Sequence, residues 1–232
     1  MSKAQTNPWE SGRRKKRDNR FPEKRDAVLK AAAALFRERG YDRASLNDLA
    51  DILKITKPTI YYYVHSKEQL LLDILRGAQD QILASLNEAV KSPATGYEKL
   101  RKVMVDYALI MISDHGACMA RIPSRAFEEP AARAEVEDRI EEADRLIYQI
   151  LDEGQKDGTL RFSDRTVALQ TLYGSLNWAA YWTKPSGRLK PHQLAEAQVE
   201  ILLNGVCGPA AAAEPVKLPT AAKAPAKIKR RA

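Results

Sequence analysis

The chain has 232 residues, of which 44% are hydrophobic and 29% charged, and its formal net charge is +8 at pH 7. This composition is typical of a globular protein with a substantial core, and two cysteines, Cys118 and Cys207, are too few for a disulfide-built secreted domain. The basic N-terminus lacks the apolar core of a secretion signal, and the longest uncharged run, residues 166–183, is shorter and more polar than the roughly 20 apolar residues of a membrane span. We therefore expect a cytoplasmic protein with no membrane partner.

Most of the positive charge lies at the two ends of the chain. Residues 1–25 carry nine basic and three acidic side chains, residues 209–232 carry six and one, and the body between them has a net charge of −3. Neither end shows apolar periodicity, and Ala, Pro, Lys and Arg make up 19 of the last 24 residues. We therefore predict a disordered basic arm over residues 1–22 and a disordered tail over residues 209–232. Basic ends on an acidic body suit polyanion binding, but the same charges also serve solubility alone.

The chain that follows the arm begins with one helix of ordinary length and two short ones. Apolar residues recur three and four apart over residues 27–36, and Gly40 follows as a helix stop. Ser45 is a good N-cap for a first short helix. Thr56 caps a second, with Pro58 in its first turn, where the missing N–H of proline costs nothing.

Longer helices follow. Ser66 is the N-cap of a helix over residues 67–89, and residues 91–96 then interrupt the apolar pattern. Beyond this break the spacing predicts further helices over about 97–113, 131–156, 164–183 and 191–205. The first two of these are separated by a stretch that we expect to be broken around Pro123 and Pro130. No segment alternates with period two for long enough to suggest a sheet, so the sequence predicts an all-α fold.

Residues 45–63 have the pattern of a helix–turn–helix. Two short helices are joined by a tight turn, and Leu49 and Ile55 are placed to fix their crossing. Ile60 and Val64 must face inward, so the second helix presents its polar side chains to solvent. Because the major groove of B-DNA is about 12 Å wide and accepts one α-helix, this pattern predicts DNA recognition.

The exposed side chains of the second short helix are suited to DNA. Lys57 can donate to guanine O6 or N7, Thr59 can hydrogen-bond a base, and the Pro58 ring can contact a thymine methyl. Tyrosine hydroxyls on the same helix reach phosphates, and Lys67 adds positive charge at the N-terminus of the next helix. The alternative is that both lysines are only solvated. Three consecutive tyrosines cover so much of a helix that at least one of them must pack inward.

The run from Arg25 to Leu72 resembles the DNA-binding domain of the TetR family of transcriptional repressors. The residues that carry the resemblance are Gly40-Tyr41, Ser45-Leu46, Asp48-Leu49-Ala50, Thr59-Ile60-Tyr61-Tyr62 and Ser66-Lys67-Glu68. It implies base contacts by Lys57, Pro58 and Thr59, and phosphate contacts by Ser45, Tyr61, Tyr62 and Lys67. The full set of residues expected at the DNA is Ser45, Asn47, Thr56, Lys57, Pro58, Thr59, Tyr61, Tyr62, Tyr63 and Lys67.

Two residues depart from the family pattern. Lys54 stands at the turn position where members usually have glycine, so a left-handed backbone conformation there is strained. Val64 stands where many members have phenylalanine, which should only loosen the packing.

The C-terminal part carries a second resemblance. Residues 177–182 and 185–189 resemble a subgroup of the same family whose members respond to acyl-CoA thioesters. Family membership implies a three-helix DNA-binding domain over residues 23–72 and a larger helical domain over residues 73–208, which binds a ligand and forms a homodimer through its last two helices. The apolar residues that we expect to exceed the needs of one bundle, and so to support the dimer, are Leu169, Leu172, Leu176, Ala180, Leu194, Ile201 and Leu202.

A ligand pocket between the C-terminal helices needs an apolar lining with a few polar groups. The candidates are Met104, Tyr107, Met111, Cys118, Arg121, Phe127, Ile147, Tyr173, Asn177, Trp178 and Trp182. For each residue taken alone, core packing is the commoner role, because methionines and aromatics at helical spacing first of all fill cores. Arg121 and Arg125 can attract a phosphorylated ligand such as the nucleotide of CoA, or can be solvated or paired with Glu128 and Glu129.

The sequence gives little support to an enzyme. No segment matches a Gly-x-Ser-x-Gly elbow, a P-loop or a Gly-x-Gly-x-x-Gly turn. His115 and Cys118 are three residues apart and could bind a metal or act as base and nucleophile, but no further Cys or His lies nearby to complete a zinc site. We expect no catalysis, no metal and no cofactor.

Together these features predict a transcriptional repressor that binds double-stranded operator DNA as a homodimer. Each recognition helix, residues 56–63, enters a major groove, with half-sites about 34–36 Å apart or a multiple of that distance. A small apolar or acyl-CoA-like inducer in the C-terminal domain releases the DNA by favouring a geometry with the wrong spacing. The alternative is an architectural protein that binds DNA without sequence preference through its basic ends.

Overall fold

The computed structural model describes residues 21–184 and 187–205. Within these ranges the chain forms nine α-helices, one 3-10 turn over Ser124–Ala126 and no strand, which confirms the all-α fold. In chain order the helices are α1 (Phe21–Arg39), α2 (Leu46–Leu53), α3 (Lys57–Tyr63), α4 (Lys67–Lys91), α5 (Gly96–Met111), α6 (Asp114–Arg121), α7 (Pro130–Lys156), α8 (Arg165–Trp182) and α9 (Pro191–Asn204). Apart from Phe21 and Pro22, the expected basic arm and C-terminal tail lie outside the described residues.

Helix α6 occupies part of the stretch that was expected to be broken, so that prediction is wrong for residues 114–121. Ser113 caps the helix, because its hydroxyl accepts a hydrogen bond from the Gly116 backbone N–H at 3.2 Å. A Cβ atom on Gly116 would lie 2.0 Å from the Ile110 carbonyl oxygen, so the tight turn from α5 to α6 requires glycine. The sequence prediction missed this helix, which has only eight residues and contains a glycine, a residue of low helix propensity.

The N-terminal core forms between α1, α2, α3 and the first half of α4. Its fully buried residues include Val28, Ile60, Leu70 and Leu71. Side chains from later in the chain complete this core, namely Cys118, Phe127, Ala132 and Val136. The expected boundary at residue 72 falls inside α4, which continues without a break. The N-terminal part and the larger C-terminal part therefore share both a helix and a core.

Helix α5 lies at the centre of the C-terminal bundle and contacts α4, α6, α7, α8 and α9. The core around it is formed mainly of leucine, isoleucine, valine, methionine and alanine side chains. The buried Lys99 ammonium is paired with Glu153 Oε2 at 2.8 Å, which satisfies a charge that would otherwise be costly to bury. On the side of α4 that faces α7, Arg76 forms a two-pronged ion pair with Glu135, both hydrogen bonds being 2.5 Å long.

The start of α5 touches the end of α7 through two glycines. A Cβ atom on Gly96 would lie 2.1 Å from the Cα atom of Gly154, so the two backbones meet where no side chain fits. The Gly96 N–H donates to Asp157 Oδ2 at 2.7 Å. Hydrogen bonds, first from Thr159 and then from Gly96, lower the pKa of Asp157, so its negative charge is retained at the N-terminus of α5.

No single helix in residues 21–184 or 187–205 is both long and apolar enough to cross a membrane. Helices α5 and α6 meet the length and composition requirement only as a pair that bends by 90°.

Candidate DNA-binding surface and ligand cavity

The start of α2 is fixed by a capping box. The Ser45 hydroxyl accepts from the Asp48 N–H at 3.1 Å, and the Asp48 carboxylate accepts from the Ser45 N–H at 2.9 Å. Arg39 at the end of α1 also contacts Asp48 at 2.7 Å. Hydrogen bonds from Ser45 and then the charge of Arg39 lower the pKa of Asp48. The carboxylate therefore ties the N-terminus of α2 to the C-terminus of α1.

The turn between α2 and α3 has the left-handed conformation that was predicted to be strained. Lys54 has φ 54° and ψ 43°, and it is the only non-glycine residue of the described chain with positive φ. Its backbone N–H donates to the Ala50 and Asp51 carbonyl oxygens, which ends α2. The Cβ atom of Lys54 makes this left-handed conformation more costly in free energy than it would be for glycine.

Helix α3 turns an apolar face inward and a polar face outward. Ile60 and Val64 are buried, as predicted, and Leu49 of α2 packs in the same core with the half-buried Ile55. Lys57, Pro58, Tyr61 and Tyr62 are exposed, the last by 70% of its surface. The exposed face of α3 therefore presents the positive charge of Lys57 and the phenol rings and hydroxyls of Tyr61 and Tyr62 to solvent.

Thr56 stands at the N-cap position of α3, but it does not cap the helix through its side chain. Its hydroxyl shares a 2.8 Å hydrogen bond with the Thr59 hydroxyl. The prediction that the Thr56 side chain caps α3 is therefore wrong, because the Thr56 hydroxyl is hydrogen-bonded to the Thr59 hydroxyl and not to a backbone N–H of the helix. The pair holds the Thr59 hydroxyl in place at the first turn of α3.

An aromatic cluster joins the first turn of α1 to α3. The Phe21 ring lies 5.5 Å from the Tyr62 ring and 5.2 Å from the Tyr63 ring, measured between centroids. Tyr63 is half-buried, which confirms that one of the three tyrosines packs inward. Phe21 was expected to belong to the basic arm. The structure instead places Phe21 in α1, beside α3.

Lys67 is held at the start of α4. Its ammonium lies 4.3 Å from the centroid of the Tyr41 ring and donates to the Asp42 carbonyl oxygen at 3.3 Å. Burial raises the pKa of Tyr41 to about 12, so the ring beneath the cation stays neutral. Ser66 caps α4 by accepting from the Gln69 N–H at 2.9 Å. Ser45 and Asn47 are also exposed, at the start of α2.

A cavity of about 160 Å³ lies inside the C-terminal bundle. Helices α4, α5, α6, α7 and α8 contribute its lining, which comprises Gln79, Ile82, Leu83, Tyr107, Met119, Ala120, Arg139, Ile140, Ala143, Asp144, Tyr173 and Asn177. The structure thus brings three of the predicted pocket residues together, Tyr107, Tyr173 and Asn177. Met104 and Ile147 line a much smaller void of about 10 Å³ that shares Ile82 and Tyr107 with the cavity.

Two hydrogen-bonded pairs order the tyrosine side of the cavity. The Tyr107 hydroxyl donates to Asn177 Oδ1 at 2.6 Å, and the rings of Tyr107 and Tyr173 stack with centroids 4.9 Å apart. Burial raises the pKa of both tyrosines, and the neighbouring Asp144, hydrogen-bonded to Tyr173, raises that of Tyr173 further. Both phenols are therefore neutral, and Asn177 keeps an amide nitrogen that can donate to a ligand.

Five of the predicted pocket residues lie elsewhere. Met111 is buried in the C-terminal core, and Cys118 and Phe127 are buried in the N-terminal core, because α6 and the segment after it pack on α1 and α4. Trp178 and Trp182 are exposed by 61% and 48%, because they lie on the side of α8 that faces away from the bundle. None of these five lines the 160 Å³ cavity.

Arg121 also lies outside the cavity lining. Its guanidinium donates to the Arg37 carbonyl oxygen at 3.0 Å and to the Ala180 carbonyl oxygen, and it lies 4.9 Å from the Tyr181 ring. These carbonyls belong to the last turns of α1 and α8, where helices leave acceptors without an internal donor. Arg121 therefore links α1 to α8, which differs from the pairing with Glu128 and Glu129 that was one of the alternatives left open by the sequence.

The residues missed by sequence reasoning lie mostly on α4 and α7. They are Gln79, Ile82, Leu83, Met119, Ala120, Arg139, Ile140, Ala143 and Asp144. One signal was available, since Gln79 is a polar residue within the apolar stripe of α4. The other residues have the ordinary alternation of an amphipathic helix and carry no sign that a cavity lies beside them.

An uncharged face runs along the outside of α8. Its exposed residues recur three and four apart and are Val167, Gln170, Thr171, Gly174, Ser175, Trp178, Tyr181 and Trp182. The indole of Trp178 stacks on Tyr181 with centroids 5.0 Å apart. Leu169, Leu172, Leu176 and Ala180, which were expected to be surplus to the core, are instead buried in it. Of the predicted residues on α9, Ile201 is exposed and Leu194 and Leu202 are half-buried.

The His115 and Cys118 pair does not form a reactive site. Burial raises the pKa of the Cys118 thiol to about 12, and its sulfur lies 3.6 Å from the Ala33 carbonyl oxygen, to which it donates. Within the described ranges no group of three or more His, Cys, Asp and Glu side chains is placed to hold a metal ion.

The structure has a helix–turn–helix whose second helix is exposed, and the continuous helix α4 joins it to a bundle that contains a cavity. This arrangement defines the class of helix–turn–helix regulators with a second helical domain. Comparison with known families agrees. Residues 28–74 match the model described as "Bacterial regulatory proteins, tetR family", and residues 93–206 match that of the "Tetracyclin repressor-like, C-terminal domain". The chain belongs to the TetR family.

Three relatives illustrate the likeness. A TetR/AcrR-family regulator from Thermobifida fusca YX-ER1 is 31% identical, with a TM-score of 0.60 over 80% of this chain and 100% of that one. The structure of AibR in complex with isovaleryl coenzyme A and operator DNA is 27% identical, with a TM-score of 0.65 over 77% and 97% of the two chains. The transcriptional repressor KstR2 of Mycolicibacterium smegmatis is 24% identical over 193 residues, which are 79% of this chain and 90% of that protein.

Proposed function

We propose that the protein is a transcriptional repressor that binds an operator as a homodimer and is released from it by a small-molecule inducer. The observation that carries this proposal is the exposed polar face of α3. The core beneath α3 includes residues of α4 and α6, and the same two helices also line the cavity of the C-terminal bundle. KstR2, a relative over most of both chains, is named a repressor, and the AibR structure contains both operator DNA and an acyl-CoA.

At the DNA, Lys57, Pro58 and Thr59 read base edges in the major groove. Their positions at the exposed first turn of α3 support this role, since the N-terminal residues of a recognition helix are those that reach the bases. Ser45, Tyr61, Tyr62 and Lys67 contact the phosphates. Asn47, Thr56 and Tyr63 complete the set of residues that we place at the DNA. Of all these residues, Lys67 has the most defined geometry, because its ammonium is held over Tyr41.

The dimer forms through the uncharged face of α8 together with α9. An exposed face that carries three large aromatic residues and no charge is typical of a buried interface. Small residues at Gly174 and Ser175 permit two copies of α8 to approach closely. The dimer places two copies of α3 at a fixed separation, as a palindromic operator requires.

Helix α6 couples the cavity to the DNA-binding part. Met119 and Ala120 on α6 line the cavity, while Asp114 on the same helix forms a 2.7 Å ion pair with Arg37 of α1. Arg121 adds its bond to the Arg37 carbonyl oxygen. A ligand that displaces α6 therefore acts on α1, provided that it binds the two positions of α6 with different affinities.

The inducer is an acyl-CoA thioester. Support comes from the AibR likeness and from the cavity, which combines apolar walls with a few hydrogen-bonding groups. Arg121 is already bound to two backbone carbonyls, so the phosphates of CoA find their charge partners elsewhere.

The test is fluorescence anisotropy of the full chain on the DNA upstream of its own coding sequence, at physiological salt, with titrated acyl-CoA thioesters. We expect tight binding that scrambled DNA does not compete away and that one thioester releases. Tight binding that no thioester disturbs would contradict the inducer class alone. Equal binding to any DNA would instead favour the architectural role of the basic ends.

Two variants separate base reading from phosphate binding. Lys57→Ala should lose roughly 1–3 kcal/mol of discrimination between operator and scrambled DNA. Lys67→Ala should weaken binding to both DNAs about equally and flatten the salt dependence, because a phosphate contact carries no sequence information. An unchanged operator preference in Lys57→Ala, or a selective loss in Lys67→Ala, would contradict these roles.

A further inference from the structure

The first turn of α1 is held against the recognition helix α3. The Phe21 ring contacts both Tyr62 and Tyr63, at centroid distances of 5.5 Å and 5.2 Å, and the two tyrosine rings are themselves 5.1 Å apart. One turn further along α1, Arg25 donates to Asp73 Oδ2 of α4 at 2.6 Å. Contacts with two different helices therefore fix the start of α1 beside α3.

Phe21 packs on a tyrosine that also belongs to the outer face of α3, since 70% of the Tyr62 surface is exposed. In the complex proposed above, Tyr62 contacts a phosphate. Each line of phosphates separates the major groove, which α3 enters, from the adjacent minor groove. In that complex Phe21 therefore lies close to a DNA backbone, and the chain that precedes Phe21 is attached there.

The chain next to this attachment point is strongly basic. Residues 13–20 have the sequence RRKKRDNR, which contains six basic side chains, one acidic side chain and no apolar one. A segment of this composition has no face to bury in a core. The minor groove of B-DNA is about 6 Å wide, so it is too narrow for an α-helix but accepts a single extended chain. Where A·T pairs narrow the groove further, its negative potential increases and attracts arginine.

The position of the arginines along the chain matches the distance to that groove. The centres of adjacent major and minor grooves lie roughly 17 Å apart, which is half of the helical turn of about 34 Å. Arg17 is four residues before Phe21 and Arg13 is eight residues before it. At about 3.3–3.6 Å per residue, an extended chain spans at most about 13–14 Å from Phe21 to Arg17 and about 26–29 Å to Arg13. The required distance lies between these two values.

We propose that residues 13–20 bind in the minor groove next to the half-site that α3 reads, and that they favour A·T pairs there. The arginines of this segment are Arg13, Arg14, Arg17 and Arg20. A guanidinium is less strongly hydrated than an ammonium, so arginine enters a narrow groove more readily than lysine does. This inference rests on the proposed operator binding and adds a second contact that is selective for DNA sequence.

Inosine distinguishes reading of the minor groove from reading of the major groove. Footprinting of the full chain on its upstream DNA locates the half-sites. Three duplexes are then compared by anisotropy, and they differ only in the minor-groove base pairs on either side of each half-site, which are A·T, G·C or I·C. An I·C pair presents the major-groove atoms of G·C but lacks the guanine amino group, so its minor groove offers the same hydrogen-bonding groups as that of A·T.

We expect G·C flanks to weaken binding by about fivefold or more, which is the lower end of the effect of one changed base pair. I·C flanks should restore the affinity of A·T flanks. If I·C flanks bind as weakly as G·C flanks, or if all three duplexes bind alike, the proposal is wrong.

Three variants assign the flank preference to the arginines, and circular dichroism verifies that each variant folds. Deletion of residues 1–20 should abolish the preference for A·T flanks. Deletion of residues 209–232 removes the same net charge and should leave the preference unchanged. The combined substitution Arg13→Lys, Arg14→Lys, Arg17→Lys and Arg20→Lys keeps the charge, so it should keep the salt dependence of binding and reduce the flank preference. A preference that survives the deletion of residues 1–20, or a full preference in the lysine variant, would overturn the proposal.

Binding to the half-site itself separates this inference from the proposed function. The native chain and both deletion variants should prefer the half-site to its scrambled version, because α3 reads it. If this preference is present but the flanks have no effect, the proposed repressor stands and the minor-groove contact fails. If the half-site is not preferred, the proposed operator binding is wrong, and the minor-groove contact, which requires α3 in the adjacent major groove, is wrong with it.

Discussion

At the residue scale, the clearest compromise is Lys54. This residue adopts the left-handed conformation in the turn that sets the angle between α2 and α3, where a glycine would carry no Cβ penalty. Its conformation is imposed by the turn, because its N–H must reach the last carbonyls of α2 while Ile55 enters the core. The chain therefore stores a small strain beside its recognition helix.

We predict that Lys54→Gly raises the free energy of unfolding by about 0.5–1 kcal/mol, since relief of the left-handed strain is partly offset by the greater entropy of glycine in the unfolded chain. Urea unfolding followed by circular dichroism measures this change. Lys54→Ala is the control, because it removes the side chain but keeps the strain. If the alanine variant gains as much as the glycine variant, the side chain and not the backbone is responsible.

A second residue-scale prediction concerns the charge of Asp48. Its pKa is lowered in the folded state, so its stabilising contribution is complete above the unfolded-state pKa of about 3.9 and is lost as the pH falls through the folded-state pKa. Asp48→Asn should therefore be less stable than the native chain near neutral pH, and the two should converge in acid.

Urea unfolding between neutral pH and strong acid follows this convergence. Asp51→Asn controls for the removal of a carboxylate from the same helix, since Asp51 is exposed beyond the capping box. A stability difference between Asp48→Asn and the native chain that stays constant across this range would show that the carboxylate charge is not its source.

At the scale of elements, α6 and α8 have roles that their sequences alone do not reveal. Helix α6 contacts the cavity with Met119 and Ala120 and contacts α1 with Asp114 and Cys118. Helix α8 buries leucines on one side and exposes an uncharged face on the other. Each helix therefore has one side packed in the protein and a second side that contacts, or is free to contact, another part of the assembly. Such two-sided contact is required of any helix that couples the cavity, the DNA-binding part and the dimer interface.

The face of α8 gives the element-scale prediction. Gly174→Arg should convert the expected dimer to a monomer and sharply reduce operator affinity, because it places a charge in the centre of an uncharged interface. The glycine has nothing within 4 Å of its Cβ position, so the substitution does not disturb the protomer. Sedimentation velocity and anisotropy measure the two effects.

Gly77→Arg is the matched control for this substitution. Gly77 also lies within a helix with nothing within 4 Å of its Cβ position, but on α4. This variant should remain dimeric. A dimeric Gly174→Arg protein would mean that the subunits associate through a different surface.

At the scale of the whole molecule, the two basic ends are attached at opposite ends of the fold. Residues 1–20 and residues 209–232 each have a net charge of +5. The first segment joins α1 at Phe21, which packs on Tyr62 and Tyr63 of α3. The second follows α9, whose Asn204 accepts from Tyr97 at the start of α5, beyond the far end of α4. Helix α4, which begins after α3 and ends before α5, has 25 residues and is therefore about 37 Å long.

Because the two segments carry the same net charge, deleting each in turn tests whether the place at which a segment is attached determines its effect on DNA binding. We predict that loss of residues 1–20 lowers the salt dependence of DNA binding by about 0.9 in the log–log slope for each phosphate contact removed, and that loss of residues 209–232 changes it much less. Operator preference should survive both deletions. Equal effects of the two deletions, together with loss of operator preference, would support the architectural alternative.

Caps and apolar spacing are local properties, so the sequence alone predicted the strongly periodic helices and the helix–turn–helix. The strain at Lys54 was predicted from the resemblance to a family that usually has glycine there. The packing of distant helices was needed to show that Tyr107, Tyr173 and Asn177 line one cavity with Gln79 and Arg139, and that Cys118 and Phe127 belong to the N-terminal core. It also decided which side of α8 is left uncovered. The physical reason is that periodicity fixes which face of a helix is apolar, whereas the partner of that face, and any gap left in the packing, depends on how distant helices cross.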